Sequence, residues 1–317
     1  MAYGGETVVV YTSVDQIFSE PVLREFERQS GITVKPVFDV EASKTTGLVN
    51  RLIAEKKFPR ADVFWNSEVG RTLVLKEKGV LAPYHSPSAE TIPKRFKDEE
   101  GYWTGFGARA RVLIYNTDLL EAGAVPRSVF DLTRPQWRGK VAMAYPLFGT
   151  AATHVAAWYA LLGRGKAEAY LTALKNNGLV IVDGNAVARD LVVRGEVPVA
   201  FTDTDDVYVA IRAGRAVDMV FPDQDGIGTL LIPNTVALIR NGPHPDAGRR
   251  LIDYLLSEEV GARLAASDSM QIPVRTRVKS PSHAPPLSGI RAMSVDYRDI
   301  AKNLEPAARF SRHLFSR

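Results

Sequence analysis

The segment Thr202-Asp203-Thr204-Asp205-Asp206 places three carboxylates within four residues of one another. Carboxylates this close repel one another unless a positive group compensates them. Their oxygens are suitable ligands for a hard cation, so the segment is a candidate metal site. The same carboxylates would also bind an amine, or would simply favour the N-terminal dipole of a following helix. The sequence leaves all three interpretations open.

Two arginines lie at the start of a strand predicted over residues 111–116. Alternation along the strand places Arg109 and Arg111 on one face, with Ala110 on the other. A guanidinium group that points into a cleft binds a carboxylate, carbonate or phosphate through two parallel hydrogen bonds. We therefore expect Arg109 to contact a ligand. Solvated surface charge is the alternative for both arginines.

Short polar side chains follow several of the predicted strands. In open parallel α/β sheets, ligands bind at the carboxyl ends of the strands, beside the free N–H groups of helix N-termini. Helix capping alone explains any single Ser, Thr or Asn there, so the prediction depends on the whole set. The predicted ligand-binding residues are Ser13, Asp15, Ser43, Lys44, Asn66, Ser67, Glu68, Arg109, Thr150, Ala151, Asn185, Asp203, Asp205 and Asp206.

Signatures of catalysis are weak. The run Asp203-Thr204-Asp205 matches the DxD pattern of metal-dependent sugar transferases, but the pattern is short and frequent by chance. The chain has no G-x-S-x-G elbow and no P-loop, and its five histidines lack the spacing of a metal-binding pair. It also has no cysteine, which excludes thiolate metal sites and cysteine nucleophiles. We therefore predict no catalytic residue and a protein that is not an enzyme.

The elements that must position these residues alternate between strand and helix. Strands are predicted over 6–12, 32–38 and 61–65, with helices between them, and the second half of the chain repeats the pattern. This alternation predicts an α/β fold with parallel sheets flanked by helices. Gly105-Phe106-Gly107 and Pro233-Asn234 suit points where the chain crosses between lobes, because hinges use a few residues at the ends of elements.

Length and composition limit the classes of protein that remain. At 317 residues the chain exceeds what one hydrophobic core usually serves, so two lobes are expected. The net charge of +4 is spread along the chain without a basic run, which argues against nucleic-acid binding. No apolar run approaches the ~20 residues of a membrane span. The start Met1-Ala2-Tyr3-Gly4-Gly5 lacks a basic segment and an apolar core, so we expect no export signal in this sequence.

An ordered series of segments resembles the family 1 extracellular solute-binding proteins of ABC importers, in the branch of the periplasmic ferric-iron-binding proteins. The resemblance covers roughly residues 7–275. The segments are VVVYTS (8–13), ADVFWNSE (61–68), RVLIYN (111–116), FDLTRPQWRGKVAMAYPLFGT (130–150), RGEVPVAFTDTDD (194–206), VFPDQDGIGTLLIPNTVALI (220–239) and HPDAGRRLIDYLLSEE (244–259).

The resemblance implies a two-lobed type 2 periplasmic binding protein. Each lobe is a mostly parallel sheet flanked by helices, and crossing hinge strands join the lobes. We expect lobe 1 to comprise residues 6–106 with 235–275, lobe 2 to comprise 107–234, and a C-terminal helical segment, 276–317, to pack across both. Closure on a ligand would then deliver the loaded protein, a monomer, to a membrane permease in the periplasm or another extracytoplasmic compartment.

The resemblance also implies a ligand set. In this branch a His after the first strand, a Glu after the third strand and two adjacent tyrosines hold iron, and an anion often completes the shell. By position, Asp15 stands where the family has the His, and Ser67 or Glu68 stands where it has the Glu. Asp205 and Asp206 stand where it has the two tyrosines. The anion pocket would draw on Thr150, Ala151, Asn185 and Arg109. With Tyr208 as a phenolate ligand, the predicted metal ligands are Asp15, Glu68, Asp205, Asp206 and Tyr208.

The missing tyrosine pair and the missing His leave the cargo open. We predict the substrate-binding component of an ABC importer that needs no cofactor, with Fe³⁺ as the leading cargo and carbonate or phosphate as its anion. An organic solute is the alternative: Lys44 with the helix start at Thr150 suits a phosphonate, and the acidic segment suits a small amine-bearing molecule. A metal-dependent transferase and a sensor domain of a transcription regulator are further alternatives.

Overall fold

The computed structural model describes residues 5–39, 46–280 and 286–316 of the chain. The chain divides into two compact units. Unit 1 comprises Met1–Ala108, Pro233–Ser267 and Gln271–Leu287. Unit 2 comprises Arg109–Ile232, Asp268–Met270 and Ser288–Arg317. The predicted C-terminal segment 276–317 is thus divided, since it belongs to unit 1 up to Leu287 and to unit 2 from Ser288.

Strands and helices alternate through most of the described residues. The strands are β1 (Thr7–Thr12), β2 (Thr33–Phe38), β3 (Val63–Asn66), β4 (Leu81–Ala82), β5 (Thr104–Asn116), β6 (Val141–Ala144), β7 (Val180–Val182), β8 (Val199–Asp203), β9 (Val217–Val220), β10 (Leu231–Ile239) and β11 (Ile272–Pro273). The α-helices are α1 (Gln16–Ser30), α2 (Thr46–Ala54), α3 (Val69–Glu77), α4 (Gly149–Leu162), α5 (Arg164–Asn176), α6 (Asn185–Val193), α7 (Thr204–Arg212), α8 (Pro245–Leu255), α9 (Glu258–Ala266) and α10 (Tyr297–Leu314).

Unit 1 is built on a mixed sheet. β1 pairs in parallel with β2 and β3, and β10 runs antiparallel to β3 and β4. Val8, Val10 and Val63 are fully buried, whereas the alternate residues Thr7 and Val9 are half-buried, so one face of β1 packs more completely into the core than the other over these residues. The parallel arrangement brings the carboxyl ends of β1 and β3 to the same edge of the sheet, where polar residues follow both strands.

Unit 2 has its own mixed sheet. β6 pairs in parallel with β7 and β8, while β5 runs antiparallel to β8 and β9. α4 is buried along nearly its whole length, and α10 packs against both α4 and α5. β5 and β10 are continuous strands that begin in one unit and end in the other. The mixed α/β architecture expected from the sequence is therefore confirmed.

The first helix begins earlier than the sequence pattern predicts. The sequence Ser19-Glu20-Pro21 predicts a helix that Ser19 caps, with Pro21 in its first turn, because serine is favoured at the N-cap and proline in the first turn. In the structure α1 begins at Gln16 and contains Pro21 in its interior. The Ser19 hydroxyl donates hydrogen bonds to the Val14 and Asp15 carbonyls, at 3.1 and 3.0 Å, instead of accepting one from the following turn. A serine that bonds back to a preceding carbonyl is compatible with a helix interior.

Candidate functional site

A buried carboxylate lies at the end of β8 in unit 2. Asp203 is the last residue of the strand and only 1% exposed. Its Oδ1 accepts a hydrogen bond from Nη1 of Arg111 at 2.7 Å. Its Oδ2 accepts from the Thr150 hydroxyl at 2.6 Å and from the Asn185 amide at 3.0 Å. Both oxygens are thus satisfied by donors of this unit, as a buried carboxylate requires.

Three secondary-structure elements bring these donors to Asp203. Arg111 and Asp203 are directly opposite each other in the antiparallel pairing of β5 with β8. Thr150 lies in the first turn of α4, and Asn185 is the first residue of α6. α4 starts at Gly149, whose φ of 52° is in the left-handed region that favours glycine. The N-terminal turns of two helices therefore converge on the end of one strand.

Arg111 is almost fully buried, at 1% exposed, and it bonds to four side chains. Besides Asp203, its Nη1 donates to Thr150 Oγ1 and Asn185 Oδ1, both at 3.2 Å, and its Nε donates to His154 Nδ1 at 3.4 Å. Its Nη2 has no hydrogen-bond partner among the described residues. The sequence pattern favours Arg109 over Arg111 as a ligand contact and does not indicate the central place of Arg111 in this cluster.

Electrostatics keep Asp203 charged and His154 neutral. Burial alone would raise the pKa of Asp203, but the guanidinium groups of Arg111 and Arg109 and the Thr150 hydroxyl hold it below its ordinary value. Burial, together with the charge of Arg111, lowers the pKa of His154 well below its ordinary value. His154 is therefore a neutral acceptor toward Arg111, which places its own proton on Nε2.

Arg109 and Asp205, both predicted to contact a ligand, form an ion pair with each other. Nη1 of Arg109 lies 2.8 Å from Asp205 Oδ2 and 3.8 Å from Asp203 Oδ2. The Arg109 side chain is 13% exposed and that of Asp205 12%, so the pair is only partly screened by water. Arg109 and Arg111 lie two residues apart on β5. Each of them thus forms an ion pair with an acid of the segment 202–206.

Asp206 lies in a different electrostatic environment from Asp203. Its Oδ2 accepts from the Thr202 hydroxyl at 2.8 Å, and Arg189 Nη1 lies 3.7 Å from its Oδ1. Burial, followed by the charges of Asp205 and Asp203, raises the pKa of Asp206 to about 7. Arg189 was not predicted as a site residue. It lies one turn after Asn185 in α6, and that spacing was the signal for its position.

The acidic segment satisfies the geometric condition for a cation site. One carboxylate oxygen each from Asp203, Asp205 and Asp206 lie within 4.8 Å of one another. Tyr208, the predicted phenolate ligand, is buried, and burial and the charge of Asp218 raise its pKa to about 12. Ala151 is buried in the first turn of α4 and carries no polar side-chain atom, so only its backbone is able to donate to a ligand.

Three of the predicted unit 1 residues come together at the ends of β1 and β3. The Ser13 hydroxyl donates to Asn66 Oδ1 at 2.6 Å and to Ser67 Oγ at 3.1 Å. The Asn66 amide donates to the Thr72 hydroxyl at 2.9 Å. All of these side chains are buried. Asp15 lies at the N-cap of α1 in the same unit, whereas Ser43 and Lys44 fall outside the described residues.

Glu68, predicted as a metal ligand, is the N-cap of α3. Its Oε2 accepts from the Gly70 backbone N–H at 2.6 Å, and its Oε1 accepts from that of Arg71 at 2.8 Å. The side chain is fully buried. Helix capping, the alternative explanation weighed for every polar residue at a strand end, therefore accounts for the position of both Glu68 oxygens.

We expect Glu68→Ala to lower the free energy of unfolding by about 1–2 kcal/mol, because two N–H groups at the start of α3 lose their acceptor. Glu68→Gln should lose less, since the amide keeps one acceptor oxygen. Urea denaturation followed by circular dichroism measures both. An alanine variant as stable as the parent would show that capping by Glu68 contributes nothing to unit 1.

Comparisons with known proteins are consistent across sequence and structure. A model of the family described as bacterial extracellular solute-binding proteins matches residues 61–303. The major ferric iron-binding protein of Neisseria meningitidis is 23% identical over 305 residues, which cover 93% of this chain and 89% of that protein. A provisionally named 2-aminoethylphosphonate-binding periplasmic protein of Salmonella typhimurium is 27% identical over 316 residues, covering 94% and 90%.

Solved structures agree with the fold. Iron-bound HitA of Pseudomonas aeruginosa superimposes with a TM-score of 0.88 at 24% identity and covers 98% of this chain and 99% of its own. The ferric binding protein of Campylobacter jejuni has the same TM-score at 21% identity and covers 98% and 100%. No helix in the described part of the chain is long and apolar enough to cross a membrane.

Proposed function

We propose a function from one premise, that this chain belongs to the bacterial extracellular solute-binding protein family. The chain is the binding component of an ABC-type importer, which captures a small solute outside the cytoplasm and delivers it to a membrane permease. A protein with this role holds its ligand by differential affinity between conformations and catalyses no reaction. We assign it no catalytic residue and no resident cofactor.

The solute is a cation, and the observation that carries this proposal is the cluster of three carboxylates on unit 2. Oxygens of Asp203, Asp205 and Asp206 lie within 4.8 Å of one another. The donors that would attract an anionic group, on Arg111, Thr150 and Asn185, already bind Asp203. A phosphonate would therefore meet carboxylates, and like charges at this distance repel.

Ferric iron is the first candidate among cations. Fe³⁺ is a hard cation that prefers oxygen ligands, and Asp205 and Asp206 offer them from the first turn of α7. Asp206 holds a proton up to about pH 7, so binding of a metal there would release that proton. The names of several relatives, such as the neisserial protein, support the same cargo.

A small amine-bearing solute is the second candidate, favoured by the ion pair of Arg109 with Asp205. The 2.8 Å contact shows that Asp205 accepts a singly charged nitrogen donor in this geometry. An ammonium group would replace that guanidinium with little change in local charge, whereas Fe³⁺ would have to displace Arg109 and bring three positive charges. The relative named for 2-aminoethylphosphonate binding supports only the amine part of this candidate, because that solute also carries a phosphonate, which the acidic segment would repel.

Native mass spectrometry of the purified protein, before and after titration with ferric nitrilotriacetate, distinguishes the two cargoes. One retained iron per chain supports the first candidate, and a retained organic molecule supports the second. Iron bound through carboxylates alone should be nearly colourless, whereas ligation by Tyr208 would add a visible absorption band. A protein that retains neither cargo from a culture lysate nor iron on titration would refute the cation proposal.

Replacing Asp205 and Asp206 together with alanine should weaken cargo binding by roughly 100-fold or more, because two charge-assisted contacts of about 1.5–3 kcal/mol each are lost. The matched control is Glu258→Ala with Glu259→Ala, which removes two adjacent acids from the first turn of α9 in unit 1. Isothermal titration with the retained cargo measures both variants. Equal affinities in the two double variants would mean that the site lies elsewhere.

A further inference from the structure

Among the described residues, the hydrogen bonds to the Asp203 carboxylate come from donors that would also suit a free anion. The hydroxyl of Thr150 and the amide of Asn185 lie at the starts of α4 and α6, and Nη1 of Arg111 lies opposite, at 2.6, 3.0 and 2.7 Å. Helix N-termini and a guanidinium group are the usual holders of phosphate, carbonate or carboxylate. Here the Asp203 side chain occupies the point on which these donors converge.

We propose that Asp203 is a built-in anion, so that this protein takes no soluble anion at the α4 and α6 N-termini and binds its solute without one. This adds to the proposed function that no soluble anion accompanies the solute. Only this statement about the solute rests on the proposed function. The expected anion pocket of Thr150, Ala151, Asn185 and Arg109 is then closed by the chain itself.

Charge balance supports a built-in anion. Arg111 is buried, and a buried guanidinium without a counter-charge is costly, so some anion must be present. Asp203 supplies one negative charge at fixed geometry, whereas a second, soluble anion would enter beside Asp203 and Asp205 and be repelled.

Removal of the built-in anion should create an anion site. Asp203→Ala deletes the carboxylate and leaves a cavity bordered by a guanidinium, a hydroxyl and an amide. Formate has the shape and charge of the deleted group and should refill the cavity. The melting temperature of the variant should rise by about 2–4 °C between zero and near-saturating formate at constant ionic strength, because formate binds the folded state alone.

Two comparisons make this test specific. The parent protein should show no formate response beyond that of chloride. Asp223→Ala is the matched control. Asp223 is also a buried acid of unit 2, but within the described part of the chain it accepts from the Ser128 hydroxyl and the Val129 N–H and not from an arginine. If Asp203→Ala is too unstable to purify folded, its refolding yield from urea in formate against chloride gives the same answer.

The inference is overturned if Asp203→Ala and Asp223→Ala respond equally to formate, or if formate or phosphate stabilises the parent and Arg111→Lys abolishes that effect. A separate experiment keeps the cargo question distinct. Native mass spectrometry of the iron-titrated parent, with and without added bicarbonate or phosphate, should show metal retained without an added anion. Retention of iron only in the presence of the added anion would contradict the built-in anion but not the importer role. If formate stabilises Asp203→Ala but the parent binds no iron, only the proposal of iron as the cargo is contradicted.

Discussion

Replacing Arg111 with methionine should lower the free energy of unfolding by about 3–5 kcal/mol, the largest effect we expect from any single substitution in unit 2. The guanidinium lies 2.7 Å from Asp203 and is only 1% exposed. Methionine fills most of its volume but leaves the buried Asp203 charge with only the more distant Arg109, at 3.8 Å, as a counter-charge. The Thr150 and Asn185 donors remain, yet neutral hydrogen bonds do not balance a buried charge. Urea denaturation followed by circular dichroism measures the loss.

A double variant separates charge from packing in this prediction. Arg111→Met combined with Asp203→Asn removes both charges and keeps the amide within reach of Thr150 and Asn185, so at least half of the lost stability should return. Arg111→Lys should fall between the parent and Arg111→Met, because lysine keeps the charge but not the planar set of donors. If the double variant is less stable than Arg111→Met alone, the ion pair is not the source of the effect.

Replacing Asp206 with asparagine should stabilise the protein at pH 8, which is unusual for the loss of a charged residue. The pKa of Asp206 rises from 3.8 to about 7 on folding, because of burial and the neighbouring acids. Its contribution to stability is therefore complete below pH 3.8 and is lost as the pH rises through 7. Above that pH the parent carries an unfavourable buried charge. Asparagine removes it and should gain about 2–4 kcal/mol.

The pH dependence provides the decisive measurement. The advantage of Asp206→Asn should be nearly constant above pH 7 and shrink between pH 7 and pH 4.5, because the parent carries the proton in its folded state in that range. Asp225→Asn, at an exposed acid of unit 2, is the control and should change stability equally at both pH values. An Asp206→Asn advantage that is constant across this range would contradict the assigned titration.

Strand alternation correctly predicted that Arg109 and Arg111 share a face, since Nη1 of each lies within 3.8 Å of Asp203. The sequence could not show that Arg109 would bind Asp205. That contact depends on the register between β5 and β8, and nothing local to either strand determines a pairing between segments so distant in the chain. For the same reason the sequence did not indicate that Arg111 is buried. Its burial depends on β8 and on two helix starts, all of which are distant from it in the chain.

Polar residues at strand ends show that the sequence predicts their position but not their role. Ser13, Asn66 and Ser67 come together because parallel neighbours end at one edge of a sheet, and their role in ligand binding stays a prediction. The sequence pattern placed all three at strand ends. It gave no way to distinguish a ligand-facing Glu68 from a capping one, because both roles need an acid at the same position. Helix starts are equally ambiguous, and α1 begins before the serine that we expected to cap it.

The division of both units among separate chain segments has a consequence for biosynthesis. Unit 1 needs residues up to Leu287 before its three segments are all present, and α4 of unit 2 is covered by α10, which lies far downstream. Neither core is complete while most of the polypeptide is being made. The nascent chain must therefore emerge largely unfolded and exposes apolar α4, so we expect it to depend on chaperones that hold unfolded chains until synthesis ends.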